Sequence, residues 1–230
     1  MTLLFAAAAG FVLLHLLISG TRVRDALTGA IGQGPYMGLF SLASLGLIVW
    51  MGFAFAAARA DPANAAYWSA TPATKIVQMA LTLLAFLLAV PGLLTPNPTS
   101  VRQEGALDRP DAVKGMLRIT RHPFLWGVAI WAAGHLLVNG RVADFVLFGS
   151  LLVLAVFGTA SIDAKRKRAL GEKWDAFAVQ TSNIPFGAIV SGRQKLSLGE
   201  IGWWRIGLAV VIWAALVWVH PYAFGVSAQP

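Results

Sequence analysis

Residues 124–160, FLWGVAIWAAGHLLVNGRVADFVLFGSLLVLAVFGTA, decide the fold of this chain. Two apolar runs, 124–139 and 142–160, stand on either side of Asn139-Gly140-Arg141, and Asn-Gly is a dipeptide typical of tight turns. Each run approaches the roughly 20 apolar residues that an α-helix needs to cross a bilayer. The stretch therefore predicts two antiparallel membrane helices joined by a short turn.

The rest of the chain has the same character. Four further apolar segments lie at residues 2–20, 37–58, 74–95 and 205–221. Hydrophobic residues make up 57% of the chain and charged residues 12%, whereas a soluble domain carries about 25% charged residues. The mean hydropathy is +0.69. The sequence predicts an all-α, polytopic membrane helix bundle of about six transmembrane helices, forming one domain over residues 1–230.

Basic residues are distributed unevenly between the two sides of this bundle. Loops 21–36, 96–123 and 160–205 hold 15 Lys and Arg, and the opposite side holds three. The positive-inside rule then predicts that the first side is cytoplasmic and that both termini lie outside, in a bacterial inner membrane. The net charge of +8 is explained by topology and does not indicate nucleic acid. Residues 160–180 predict a basic amphipathic helix at the cytoplasmic surface, in contact with membrane lipids.

The first apolar segment predicts a retained span. No basic residue precedes it, as one would in a secretory signal, and Arg22 and Arg24 follow it instead.

The chain has no cysteine and only four histidines, so histidine is its strongest candidate metal ligand. His15 and His135 lie inside apolar segments, where an ionisable residue indicates a functional site. Two imidazoles from different helices can ligate haem iron, although each histidine could instead hydrogen-bond a neighbouring helix. Trp131 lies on the same face as His135. Arg22 follows His15 by two helical turns, on the same helical face, and is a candidate partner for a haem propionate.

Depth in the membrane constrains the choice of ligand pair. At about 1.5 Å per residue, His135 lies about 20 Å from the cytoplasmic end of its helix and His15 about 8 Å. The two match in depth only if the first helix continues through residues 22–26 or the fourth helix is tilted. His220 matches His135 more readily and is the reserve ligand.

The most distinctive motif is Leu117-Arg-Ile-Thr-Arg121-His122-Pro-Phe-Leu-Trp-Gly127. Pro123 suits the first turn of a helix, which places Arg121 and His122 at the entrance of the fourth span. A helix amino terminus attracts anions, so these two residues are candidate cofactor-binding groups, or an attachment point for lipid phosphates.

This region resembles a known family. The motifs R-I-T-R-H-P, W-G, W-x-x-x-H-L-L and N-G over residues 118–140 are similar to those of the NnrU family, which includes relatives of the plant zeta-carotene isomerase. The carboxyl-terminal His220-Pro-x-x-Phe-Gly225 also fits. The resemblance implies a membrane protein linked to nitrite and nitric oxide metabolism, or a haem-dependent isomerase of a polyene, a hydrophobic small molecule.

The same resemblance implies the site residues. It places the haem b ligands at His15 and His135. The plant branch has a cysteine where this chain has Ala132, which removes a thiolate ligand and argues against a ligand-switching mechanism.

Two alternatives stay open. Arg-His-Pro at a helix entrance, followed by a charged segment over residues 160–186, is similar to membrane methyltransferases of the isoprenylcysteine carboxyl methyltransferase type. That resemblance implies bound S-adenosylmethionine near Arg121 and His122, with Asp163 as the nearest substitute for the paired glutamates of those enzymes. The other alternative is a non-catalytic membrane assembly factor with unliganded histidines.

Overall fold

The computed structural model describes all 230 residues, and the chain is almost entirely helical. The first four helices are α1 (Thr2–Leu13), α2 (Arg22–Ile31), α3 (Gln33–Ala58) and α4 (Pro72–Leu93), with strand β1 (Ala66–Ser69) between the last two. The next are α5 (Met116–Ile119), α6 (Pro123–Val138), strand β2 (Asn139–Arg141), α7 (Val142–Leu170) and α8 (Glu172–Gln180). The chain closes with α9 (Gly187–Val190), α10 (Leu198–Ile201) and α11 (Trp203–Phe224).

The expected all-α membrane class is confirmed, whereas the expected count of six spans is not: four or five helices are candidates. Helices α3, α4, α7 and α11 are each long and apolar enough to cross a bilayer. The bent pair formed by Thr2–Ile18 and α2 gives a fifth candidate. Helix α6 is apolar but has only 16 residues, a length of about 24 Å, which is shorter than the hydrocarbon core.

Helix α6 occupies the middle of the bundle. It packs between α4 and α7, with α11 against the far side of α4 and α1 and α3 against α7. The contact with α4 is close because Gly127 has no side chain: a Cβ there would lie 2.7 Å from the Ala85 carbonyl oxygen. Small residues allow helix backbones to approach in this way in membranes.

The first span ends in a sharp bend. A π-helical turn, Leu14–Ile18, continues α1, and α2 then leaves at 79° to the first segment. Thr21 caps α2, since its hydroxyl oxygen accepts a hydrogen bond from the Val23 amide at 3.2 Å. The sequence placed this segment in a loop, and the continuation of the first helix through residues 22–26 does not occur.

The predicted surface helix 160–180 is divided differently in the structure. Helix α7 runs on for about ten residues beyond its apolar part, because Lys and Arg are good helix formers and nothing interrupts them before Gly171. Gly171, at φ +53°, ends α7, and only α8 is separate. Trp174 and Phe177 of α8 are buried against Leu117 and do not face lipid.

The Asn139–Arg141 turn is confirmed and is paired with another segment. Strands β1 and β2 form a short antiparallel ribbon. Gly140 is required there, because a Cβ would lie 2.5 Å from the Trp68 carbonyl oxygen. The ribbon satisfies backbone groups next to the end of α6.

Candidate functional site

His15 lies within the π-helical turn, a kind of helix irregularity that is frequent at functional sites. Its Nδ1 is 2.8 Å from the Phe11 carbonyl oxygen. A carbonyl only accepts hydrogen bonds, so Nδ1 carries the proton and Nε2 keeps its lone pair. The Ser44 hydroxyl is 3.4 Å from Nε2, and the rings of Phe11 and Phe40 flank the imidazole.

His135 has the same hydrogen-bonding arrangement. Its Nδ1 donates to the Trp131 carbonyl oxygen at 2.8 Å. The imidazole stacks on the ring of Phe148 at 4.8 Å and lies 4.4 Å from the Trp131 ring. No hydrogen bond to Nε2 is present, so His135 offers a neutral imidazole with a free lone pair beside two aromatic faces.

The small residues around His135 serve mainly to pack helices. Gly127 lies against the backbone of α4, and a Cβ at Gly134 would lie 3.4 Å from Leu81 of the same helix. Ala132 is fully buried. Helix α4 fills the space beside Gly127 and Gly134, so these two positions serve helix packing and not the binding of a flat cofactor.

The depths of His15 and His135 in the membrane can be compared along the axis of α7, because both regions contact this helix. Gly20 lies against Ser161, and His15 precedes Gly20 by about 7.5 Å of helix. His135 stacks on Phe148, which precedes Ser161 by about 20 Å along the same axis. The two imidazoles are therefore about 12 Å apart in depth.

This separation tests the haem that the resemblance implies. Two axial ligands meet on opposite faces of one iron atom, so His15 and His135 as placed do not fit a single shared haem. Each imidazole separately fits the role of a single ligand, since its Nδ1 proton is fixed by a carbonyl. Nε2 of His135 is free, whereas Nε2 of His15 faces the Ser44 hydroxyl at 3.4 Å.

His220 and Arg22 also differ from their expected roles. His220 lies one turn before the end of α11, at a depth similar to that of His135, and its Nδ1 donates to the Val226 carbonyl oxygen at 2.7 Å. Helix α4 packs against both α6 and α11. Arg22 follows the 79° bend and no longer shares a helical stripe with His15. Arg24, which sequence reasoning missed, packs over the Tyr36 ring at 5.8 Å.

On the basic side, Arg121 and His122 converge with α7. We call Arg121, His122, Asp163 and Asn183 the Asp163 clasp. Arg121 donates from Nε and Nη2 to the Asp163 carboxylate at 2.6–3.1 Å, and His122 Nε2 lies 2.7 Å from Asp163 Oδ1. Asn183 Nδ2 donates to Oδ2 at 3.1 Å. Both carboxylate oxygens are therefore fully engaged.

A further set of hydrogen bonds ties the clasp to two loops. Asn97 and Thr99 donate to the Arg121 carbonyl oxygen, both at 3.0 Å. Trp126 Nε1 donates to the Asn183 carbonyl oxygen at 2.8 Å. Sequence reasoning did not identify Asn97, Thr99 or Asn183, because only the fold brings these loops together. The clasp thus joins the 97–123 loop, α7 and the segment after α8.

His122 is the most buried member of the clasp, with its side chain 1% exposed. Burial lowers the pKa of His122 below its usual value of 6.5, although the hydrogen bond to Asp163 acts in the opposite direction. His122 is therefore neutral in the folded protein, with Nε2 as donor. Its Nδ1 is buried and has no partner.

The stability of the protein is expected to depend on pH through His122. The unfolded chain takes up a proton on this residue as the pH falls through about 6.5, and the folded protein resists it. The free energy of unfolding should fall below that pH, by at most about 1.4 kcal/mol per pH unit from this group. Unfolding in detergent between pH 7.5 and 5 should show a shallower slope for His122→Gln; equal slopes would contradict this.

Arg118 is paired in a similar way. It donates to both carboxylate oxygens of Glu200, at 2.7 and 2.9 Å, and to Gln194 at 2.6 Å. Arg118 and Arg121 are thus both neutralised within the protein. The expected anion site at the entrance of α6 is not supported by these contacts.

Comparisons with known proteins place the chain among relatives. A segment of 106 residues is 33% identical to the 15-cis-zeta-carotene isomerase, chloroplastic, of Zea mays and 32% identical to that of Arabidopsis thaliana. The segment covers 45% of this chain and 29% of each plant protein, so the chain spans less than a third of the length of these relatives. No solved structure matches the chain significantly.

The family model described as NnrU protein matches residues 3–228. That range includes α1, the π-helical turn, the Asp163 clasp and α11. This chain belongs to the NnrU family.

Proposed function

We propose that this protein is an intramembrane isomerase of a polyene, and that its cofactor is haem b held by His135. The observation that carries the proposal is the free Nε2 of His135 beside the rings of Trp131 and Phe148, in a chain related to two 15-cis-zeta-carotene isomerases. The short match to those relatives makes the substrate class part of the proposal.

The residues around His135 suit this chemistry. Converting a double bond from cis to trans adds and removes no atoms, so the task of the protein is to bind and orient a flat apolar chain. Trp131 and Phe148 supply flat apolar faces. The Nδ1 bond to the Trp131 carbonyl oxygen fixes the tautomer and the ring orientation of His135. When bound, haem b would supply an iron centre able to exchange an electron with a conjugated system.

The absorption spectrum of the protein purified from its own membrane tests the cofactor. We expect a Soret band that is lost in His135→Ala and kept in His15→Ala, because the two imidazoles lie about 12 Å apart in depth. His220→Ala tests the reserve ligand at a similar depth, and loss of the band in this variant would make His220 the second ligand. A band that requires His15 and not His135 would overturn this assignment.

The activity is tested separately. Membranes containing the protein are incubated with 15-cis-zeta-carotene, and the isomers are separated by chromatography. The proposal requires membranes with the wild-type protein to form more product with a trans 15 double bond than membranes with His135→Ala. The role in nitrite and nitric oxide metabolism that the family resemblance implies would be supported by a nitric oxide-dependent shift of the same Soret band.

A second candidate function is methyl transfer from S-adenosylmethionine. It is favoured by the convergence of Arg121, His122 and Asp163, which the second sequence resemblance places in one site. The full engagement of the Asp163 carboxylate argues against it. Isothermal titration with S-adenosylmethionine separates the candidates, since binding heat is expected only of a methyltransferase. A colourless protein that binds neither compound would point to an assembly factor.

We also propose that the basic side faces the cytoplasm of a bacterial inner membrane, with both termini outside. The cysteine-free chain allows a clean test with single cysteines at two exposed positions, Lys195 and Gln229. In intact spheroplasts an impermeant maleimide should label Gln229→Cys and should label Lys195→Cys only after lysis. The reverse pattern would show the opposite orientation.

A further inference from the structure

The cations of the basic side are not equally available. Arg118, Arg121 and Arg166 form ion pairs with Glu200, Asp163 and Glu104 respectively. In contrast, Arg102 and Arg109 are exposed. Neither side chain is found among the ion pairs or hydrogen bonds of the protein. These two arginines are free to meet an outside anion.

Arg102 and Arg109 line the same cavity. It has a volume of about 340 Å³ and is also lined by Leu93, Leu94, Thr95 and Gln103. Leu93 ends α4 and is 58% exposed, and Leu94 is 39% exposed. Because α4 is a candidate membrane span, its end marks the boundary between hydrocarbon and headgroups. The cavity therefore has a cationic wall and an apolar wall at the membrane surface.

The loop that forms the cavity is held in place. The Asn97 amide donates to Gln103 Oε1 at 2.9 Å, and the Asn97 side chain bonds the Arg121 carbonyl oxygen of the Asp163 clasp. Arg102 has a φ of +59°, a left-handed conformation that is unfavourable for a residue with a Cβ. Such backbone strain persists where the surroundings impose it and is concentrated at ligand sites.

The carboxylates close to these arginines in sequence are each paired with another cation. Glu104 follows Arg102 closely in sequence, but it is paired with Arg166, which also donates to the Ser100 carbonyl oxygen at 2.6 Å. Next to Arg109, Asp108 pairs with Lys173 and Asp111 with Lys114, although the charge of Arg109 also acts on Asp111. Neither Arg102 nor Arg109 has an ion-pair partner of its own.

We propose that this cavity binds the headgroup of an anionic phospholipid. The phosphate would accept hydrogen bonds from Arg102 and Arg109, since the planar guanidinium suits phosphate oxygens. The acyl chains would follow Leu93 and Leu94 into the bilayer. The combination of a cationic and an apolar wall fits an anionic amphiphile better than a free anion, and the site is independent of the proposed isomerase reaction.

Native mass spectrometry of the detergent-purified protein tests the proposal. Phosphatidylglycerol should bind at least about tenfold more tightly than zwitterionic phosphatidylcholine, and the double variant Arg102→Gln/Arg109→Gln should lose about 10- to 100-fold in phosphatidylglycerol affinity. Arg59→Gln is the matched control, because Arg59 is exposed and lies on the opposite side, at the end of α3. Its affinity should match that of the wild type.

Three results would overturn the proposal. They are equal affinity for the two lipids, undiminished phosphatidylglycerol binding by the double variant, and an equal loss in Arg59→Gln. Inorganic phosphate is added in a separate titration: if it displaces phosphatidylglycerol at low millimolar concentration, the site takes a soluble phosphate and not a lipid. A circular dichroism spectrum identical to that of the wild type confirms that the double variant is folded.

Discussion

Replacing Asp163 with asparagine is expected to lower the free energy of unfolding by about 3–5 kcal/mol. Asp163 is the shared acceptor of the Asp163 clasp, and its side chain and that of Arg121 are only 18% and 13% exposed. Removing the carboxylate charge leaves the Arg121 guanidinium partly buried without a counter-ion. It also weakens the hydrogen bond that His122 donates. Unfolding in mixed micelles, followed by circular dichroism, measures the loss.

Asp175→Asn is the matched control for this change. Asp175 also pairs with a cation, Lys167, at 3.1 Å, but both side chains are more than half exposed. Surface pairs of this kind contribute about 0–1 kcal/mol. If both substitutions reduce stability equally, the Asp163 clasp does not stabilise the fold more than a surface ion pair does. Adding Arg121→Gln to Asp163→Asn should recover part of the loss, because the uncompensated charge is then gone.

Replacing Gly127 with valine should also have a large effect, a loss of about 3 kcal/mol or more. A Cβ at this position would lie 2.7 Å from the Ala85 carbonyl oxygen and 2.8 Å from the Ala89 Cβ. Backbone cannot move aside as a flexible side chain can, so α4 and α6 must separate. The same unfolding measurement reports the change.

Gly149→Val provides the comparison, since a Cβ at Gly149 would meet nothing within 4 Å. Its effect on the free energy of unfolding should stay within about 0.5 kcal/mol. A similar loss in both variants would mean that helix propensity, and not the close approach to α4, controls stability at Gly127.

The fold could be predicted from the sequence where hydrophobic length is the signal. The hairpin of α6 and α7 around Asn139-Gly140-Arg141 follows from two apolar runs and one turn. The end of the first span near Gly20 was foreseen, but residues 22–31 were assigned to a loop and form helix α2. The paired ribbon was missed because its two strands are far apart in sequence.

The site was predictable in its residue types and not in its geometry. His15 and His135 were identified because ionisable side chains are rare in apolar helices. Their 12 Å difference in depth depends on how α1 and α6 pack along α7, which one-dimensional periodicity does not encode. Arg121 was expected to hold an anion, yet it and the neighbouring Arg118 pair with carboxylates that lie 42 and 82 residues away in the chain.

The short length of α6 has a consequence for the bilayer around the protein. A helix of about 24 Å cannot match a hydrocarbon core of about 30 Å, and the ribbon that follows it brings polar backbone to that depth with its hydrogen bonds satisfied. A bilayer can accommodate such a short helix by thinning locally, at a cost of fractions of a kcal/mol per ångström of mismatch. His135 lies one helical turn from the ribbon. The polar backbone of the ribbon therefore lies close to the His135 imidazole, at the end of the bundle opposite the basic side.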